Sequence, residues 1–274
     1  MRTYKNLYRK FCSYNNLFLA YKKARKGKTK KDYVKEFEKN LTENLRQLQR
    51  ELINKTYKPR PLKRFVIRDP KTRKISKFAF RDRIVHHALV NVLTPIYEKI
   101  FIYDSYASRK GKGQHKALER FDYFKRKISR NVKKLSGVRD NNYICGYYLK
   151  ADIIHYFQEI DHDILINILI NIIRKKIKDE DVVWLVNIIL KNFDTEILYK
   201  PTFKDIGNLW LRNFEQMQKR VSDNKEKGMP LGNYTSQFFA NIYLNELDYF
   251  VKHFLKTKYH IRYVDDLVIL HNSK

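Results

Sequence analysis

Three carboxylates stand where the local sequence predicts strand ends. Asp265 and Asp266 are adjacent in Tyr263-Val264-Asp265-Asp266, with Ile261 before the segment and Leu267-Val268-Ile269-Leu270 after it. β-Formers on both sides of a short break predict a hairpin with both carboxylates at its tip. Side-by-side carboxylates repel unless cations neutralise them, and Mg²⁺ is the hard cation that one or two carboxylates plus phosphate oxygens would hold. Asp152 ends a second predicted strand, over residues 143–153, and its Asp-Ile-Ile-His-Tyr-Phe context leads into a helix. Three carboxylates on adjoining strands suit two-metal phosphoryl transfer, one ion activating a 3′-hydroxyl and the other stabilising the pyrophosphate leaving group. Taken alone, an Asp-Asp pair at a turn is more often solvated turn chemistry, and Asp152 could equally be a helix-entry residue.

Charge points to the partner such chemistry requires. The 274-residue chain carries 58 Lys plus Arg against 29 Asp plus Glu, a formal net charge of +29. Residues 1–150 hold 41 basic and 12 acidic side chains and residues 151–274 hold 17 of each, so the whole excess lies in the first part. Nucleic acid is the commonest polyanion that offsets such self-repulsion, because each neutralised phosphate releases counterions. Anionic membrane is the competing partner.

A composition of 43% hydrophobic and 14% aromatic residues supports a folded core and excludes a wholly disordered basic tail. The most apolar run, Ile164 to Ile173, is interrupted by Asn167 and Asn171. It falls well short of the roughly 20 residues a spanning helix needs, and the N-terminus has no signal-peptide pattern. No membrane association and a cytoplasmic location are expected. Cys12 and Cys145 lie far apart without a CxxC partner, which excludes a cysteine zinc site and a disulfide framework. The eight histidines form no zinc pattern, and the adjacent His86 and His87 on a helix point in different directions.

The elements that would position these groups follow from hydrophobic spacing. Aromatic and aliphatic residues from Tyr4 to Tyr21 predict a helix over residues 4–26 feeding the basic loop KKARKGKTKK, and Val34 to Leu52 predict an amphipathic helix. Lys63 to Phe80 predict a basic β-hairpin around RDPKTRK, and Ile84 to Ile96 a helix that Pro95 kinks or ends. The segment SYASRKGKGQHKALERF sets Gly111 and Gly113 among basic residues before another helix. A helix capped by Asp161 is expected to Arg174, residues 192–228 carry no clear pattern, and a further helix is expected over Phe238 to Phe254. There is no internal repeat.

YVDD between two apolar strands, preceded by KADIIHYF and PLGNYTSQFFANIYLNELDYF in the same order, resembles the palm of a reverse transcriptase. RDRIVHHALVNVLTPIYEKIFIYDSYASRKGKGQHKAL resembles the fingers of the bacterial, group II intron-like branch. Within that branch PKTRKIS, FRDRIVHHAL, SYASRKGKG and above all PLGNYTSQFFANIYLNELD resemble the reverse transcriptases of diversity-generating retroelements. The resemblance runs from about residue 58 to the last residue. It implies an α+β, right-hand polymerase fold: an N-terminal helical basic extension over 1–57, fingers over 58–146, and an incomplete palm over 147–274. The palm would be an antiparallel sheet with packed helices, and the thumb is expected to be absent because the chain ends four residues after the hairpin.

The resemblance also implies roles. Asp152, Asp265 and Asp266 would be catalytic and metal-binding, with the carbonyl of Ile153 a further ligand for two Mg²⁺ ions, Mn²⁺ being an alternative. Phe157 falls at the family's steric gate, which selects deoxynucleotides; on spacing alone a core aromatic fits as well. Lys71, Arg73 and Lys74 on the basic hairpin would hold the incoming triphosphate, with Leu231 and Gly232 beside the nucleotide. Arg81, Arg83, Arg109, Lys112 and Gln237 would meet nucleic acid. Most reverse transcriptases have Gln where Leu231 stands; the retroelement group has an aliphatic residue there and copies template adenines with errors. The implied partners are an RNA template, a DNA primer, dNTPs and a small basic oligomeric accessory protein. The rival readings are a retron-type or phage-defence reverse transcriptase and, from another class, a non-catalytic RNA-binding scaffold.

Overall fold

The computed structural model describes residues 3–68, 73–129, 146–154, 156–160, 162–192, 196–198, 229 and 233–272. Packing divides the chain into two compact units, each drawn from two stretches of sequence: Met1–Ile96 with Phe157–Ser236, and Tyr97–Tyr156 with Gln237–Lys274.

The first unit begins with α1 (Leu7–Phe11) and α2 (Tyr14–Arg25) in place of one expected helix. The break falls at Ser13, whose side chain accepts the Asn16 N–H as an N-cap. Likewise the helix expected over residues 34–52 is two, α3 (Asp32–Lys39) and α4 (Leu41–Ile53), parted at Asn40, a residue of low helix propensity. Phe11, Leu17, Val34, Leu45, Leu48 and Leu52 are buried, as their helical spacing requires. The basic hairpin forms as expected from β1 (Leu62–Ile67) and β2 (Arg73–Lys77), antiparallel with Lys63 opposite Lys77 and Ile67 opposite Arg73. Its turn lies outside the described residues. A short strand β4 (Glu196–Leu198) pairs parallel with β1, giving the order β2-β1-β4.

Next, α5 (Phe80–Tyr97) buries Ile84, Val85, Ala88, Leu89 and Leu93 and contains Pro95, continuing two residues past it. Pro95 removes the ladder bond to the Asn91 carbonyl, but only two helical residues follow it. Later in the chain come α7 (Tyr156–Glu159), α8 (His162–Lys176) and α9 (Glu180–Lys191). The expected cap at Asp161 lies outside the described residues, whereas Asp179 caps α9, accepting the Val182 N–H and also the Tyr8 N–H at 2.9 Å. Among the described residues no helix is long and apolar enough to cross a membrane.

The second unit is built on a three-stranded antiparallel sheet of β3 (Tyr147–Asp152), β5 (Tyr259–Tyr263) and β6 (Asp266–His271), in the order β3-β6-β5. Helix α6 (Gln114–Ile128) packs on this sheet, where Phe124 and Ile128 join Tyr106, Ile261 and Leu270 in a buried cluster. Gly111 and Gly113 before α6 have φ of 74° and 122°, backbone conformations that favour glycine. Helix α10 (Tyr234–Tyr249) starts earlier than expected and ends in a π-helical turn, Phe250–Phe254.

Candidate active site

The three aspartates belong to the second unit, and the sheet brings them together. In the β3–β6 register Asp152 lies opposite Asp266. Residues directly opposite one another in an antiparallel pair share a face, with Cβ atoms about 4.5–5.5 Å apart, and like charges there are destabilising. Tyr263 pairs with Asp266 to close the hairpin, leaving Val264 and Asp265 as a two-residue turn. Burial, then the charges of Asp152 and Asp266, raise the Asp265 carboxyl above the ordinary carboxylate range, against the opposing effect of its own backbone N–H.

Val264 has a φ of 58° and Asp265 has no positive φ, the pattern of a type II′ turn, which favours Gly at its first central position. A β-branched residue is a genuine outlier there. Beneath the turn lies Arg262, fully buried in β5. Its Nε and Nη2 donate to Asp248 Oδ1 and Oδ2 at 2.8 and 2.7 Å, a bidentate pair with α10. Nη2 also donates to Ser105 Oγ (3.1 Å), while Nη1 donates to Asn241 Oδ1 (3.2 Å) and the Val264 carbonyl (3.0 Å). The segment around Ser105 docks along β5 through Arg262 N–H to Asp104 O and Tyr106 N–H to Arg262 O. Beside Asp248, His260 is fully buried, and burial lowers its pKa to about 4, so it is neutral near pH 7.

The other expected site residues are differently placed. The Ile153 carbonyl accepts the Tyr156 N–H at 3.3 Å, which leaves one of its lone pairs. Arg109 is nearly buried; its guanidinium is bidentate with Glu98 and donates to the Ile102 and Ser105 carbonyls at 2.7 and 2.8 Å. Lys112 Nζ donates to the Tyr103 carbonyl at 2.8 Å and lies 3.3 Å from that ring's centroid. Exposed Gln237 accepts from Ser108 Oγ at 3.0 Å.

In the first unit Arg81 is paired with Glu51 and Asp82, whereas Arg83 Nη1 is buried with no hydrogen-bond partner among the described residues. Phe157 is half-buried, and its carbonyl accepts the Met229 N–H at 2.7 Å. Arg73 and Lys74 lie on β2, and Lys71, Leu231 and Gly232 are outside the described residues.

Sequence reasoning missed Arg262 and Asp248. The available signal was a charged residue inside an apolar strand that borders the carboxylate turn, since buried charges in proteins are paired.

A carboxylate hairpin held in register with a strand-end carboxylate suits cation-assisted phosphoryl transfer. Among the described residues no three His, Cys, Asp or Glu side chains form a group that could hold a metal ion by themselves. The donors nevertheless fit Mg²⁺, which binds through one or two carboxylates and keeps water and phosphate oxygens as its other ligands. The mutual repulsion around Asp265 is what a cation would relieve.

Comparison with known proteins gives the family. Residues 58–274 match the family described as "Reverse transcriptase (RNA-dependent DNA polymerase)", and the chain belongs to that family, whose members use divalent metal ions. It is 28% identical over 245 residues to the group II intron-encoded protein LtrA of Lactococcus lactis subsp. cremoris, covering 88% of this chain and 33% of that protein. It is 31% identical over 180 residues to an uncharacterized 91 kDa protein in a cob intron of Schizosaccharomyces pombe, covering 65% of this chain and 17% of that protein. It is 26% identical over 205 residues to nuclear intron maturase 1, mitochondrial, of Arabidopsis thaliana, covering 63% of this chain and 26% of that protein. The chain thus spans a third or less of the length of these relatives. A solved partial Cas6-RT-Cas1–Cas2 complex aligns with a TM-score of 0.44 at 19% identity, over 97% of this chain and 38% of that one.

Proposed function

We propose that this chain is the polymerase part of an RNA-directed DNA polymerase that makes cDNA on an RNA template. The observation that carries the reading is the Asp152–Asp266 register beside Asp265, within a chain whose residues 58–274 match the reverse transcriptase family. Asp152, Asp265 and Asp266, with the Ile153 carbonyl, would hold two Mg²⁺ ions. When bound, such ions lower the pKa of a primer 3′-hydroxyl and neutralise the pyrophosphate leaving group. The protein's part is to hold carboxylates on one sheet face and to grip nucleic acid through the basic first unit. Lys71, Arg73 and Lys74 would bind the triphosphate, and Phe157 would exclude a ribose 2′-hydroxyl. Arg83, half-buried and acting electrostatically on Lys28 and His87, is the better candidate for a phosphate contact; the committed donors of Arg109 support a role in bracing its loop.

Primer extension on RNA with Mg²⁺ and dNTPs tests this reading. Wild-type extension should be lost in the Asp265→Ala, Asp266→Ala double variant, and RNA binding without extension in both would instead support a scaffold. The motif PLGNYTSQ, with Leu231 where most of the family has Gln, supports membership of a diversity-generating retroelement and error-prone copying of template adenines. Leu231→Gln should then reduce misincorporation opposite adenine, because selectivity is a difference between transition-state free energies; an unchanged error spectrum would sink the idea. The similarity to LtrA favours a second reading, an enzyme that works with an intron RNA, and identifying the RNA that copurifies separates the two.

A further inference from the structure

All five N–H donors of Arg262 are used, four on Asp248, Ser105 and Asn241 and the fifth on the Val264 carbonyl. The four fix the guanidinium rigidly against α10 and the Ser105 segment. The fifth reaches the one residue of the turn whose backbone is in a left-handed conformation that valine disfavours. Because a peptide unit is planar, holding the Val264 oxygen also fixes the orientation of the Asp265 N–H, and so the direction in which the chain enters Asp265 and Asp266.

We propose that Arg262 is a positioning residue for the carboxylate turn, holding Val264 in its left-handed conformation so that Asp265 and Asp266 face Asp152. This rests on the reading that these aspartates bind divalent cations. An ordinary buried ion pair would satisfy Asp248 and stop there. Here the planar guanidinium does what an ammonium cannot, since a single Lys Nζ could pair with Asp248 without also spanning Asn241, Ser105 and the Val264 carbonyl.

That difference supplies the test, made on the whole chain with four proteins: wild type, Arg262→Lys, Val264→Gly and the double variant. Two quantities are measured: amide hydrogen exchange across Tyr263–Leu267 in metal-free protein, and Mn²⁺ uptake by electron paramagnetic resonance. Arg262→Lys should speed exchange in the turn and weaken Mn²⁺ binding about tenfold, as loss of an outer-shell partner does. In the Val264→Gly background, where φ near 58° is unstrained, the same substitution should cost less than about threefold. Equal losses in both backgrounds, or no change in exchange, would overturn the proposal.

If Arg262→Lys does not fold, Asn241→Ala takes its place. It frees Nη1 while keeping the Asp248 pair, and should give a smaller effect that Val264→Gly likewise relieves; no effect overturns the proposal. Exchange reads the brace without metal or catalysis. A wild-type chain that binds no Mn²⁺ or extends no primer therefore defeats the functional reading, and leaves the brace to be decided on exchange alone.

Discussion

Asp152 and Asp266 sit directly opposite each other across the β3–β6 pair, two like charges on neighbouring strands of one sheet. Opposed like charges destabilise a sheet by about 0.2–1 kcal/mol. Asp266→Asn should therefore raise the metal-free melting temperature by roughly 1–3 °C while abolishing Mg²⁺-dependent extension. Added Mg²⁺ should stabilise wild type and leave the variant unmoved. Thermal denaturation with and without chelator checks both arms, and a variant less stable than wild type in chelator would refute the account.

Acid should unfold this protein early. Burial, before the nearby positive charges, lowers His86 to about 3 and His87 to about 4, and burial lowers His260 to about 4 against the opposing charge of Asp248, all from an ordinary 6.5. A depressed folded-state pKa gives stability that is present above 6.5 and lost as pH falls toward the folded value. For the fully buried His86 and His260 the loss by pH 5 is on the order of 1–2 kcal/mol each. Melting temperature should fall between pH 7 and 5, and His260→Gln should flatten the slope; a flat wild-type profile would contradict it.

Lys28, after α2, and Arg83, on α5, repel each other in the first unit. Burial and the charges of Arg83 and Lys77 lower the Lys28 pKa, while burial and the charges of Arg83, Lys23 and Lys28 lower that of His87. A nucleic-acid phosphate would relieve this repulsion. Arg83→Gln should weaken RNA binding across sequences and reduce the slope of log affinity against log salt by about 0.7–0.9. Binding measured from low to moderate salt reads the slope, and an unchanged one removes Arg83 from the interface.

Arg109 should behave in the opposite way. Its side chain is 5% exposed and that of Glu98 33%, so breaking their pair falls near the lower end of the 3–5 kcal/mol range for buried pairs, about 3 kcal/mol. Arg109→Ala should lower the melting temperature by roughly 5–10 °C yet leave the salt slope of RNA binding unchanged. A reduced slope in a stable variant would return Arg109 to the template.

Local pattern made much of this legible. β-Formers on both sides of Tyr263–Asp266 located the hairpin, and the spacing of Leu45, Leu48 and Leu52 located α4, because strand-forming residue types and a 3.6-residue period are written into neighbouring residues. The breaks at Ser13 and Asn40 were missed because the hydrophobic spacing continues through them, and only capping and backbone geometry interrupt the helix. The pairing of β4 with β1 could not be read, since a parallel partner distant in sequence leaves no local trace.

By itself the sequence determined that Asp152, Asp265 and Asp266 end or link strands, that the positive charge lies in the first part, and that the family motifs run in order. Only the tertiary structure decided that Asp152 faces Asp266, that Arg262 spends its donors on Asp248 and the Val264 carbonyl, and that Arg109 is committed while Arg83 has a donor with no partner among the described residues. The reason is the range of the interactions: strand propensity and net charge come from residue types and their neighbours. Register and hydrogen-bond assignment depend on groups that meet only when distant segments pack.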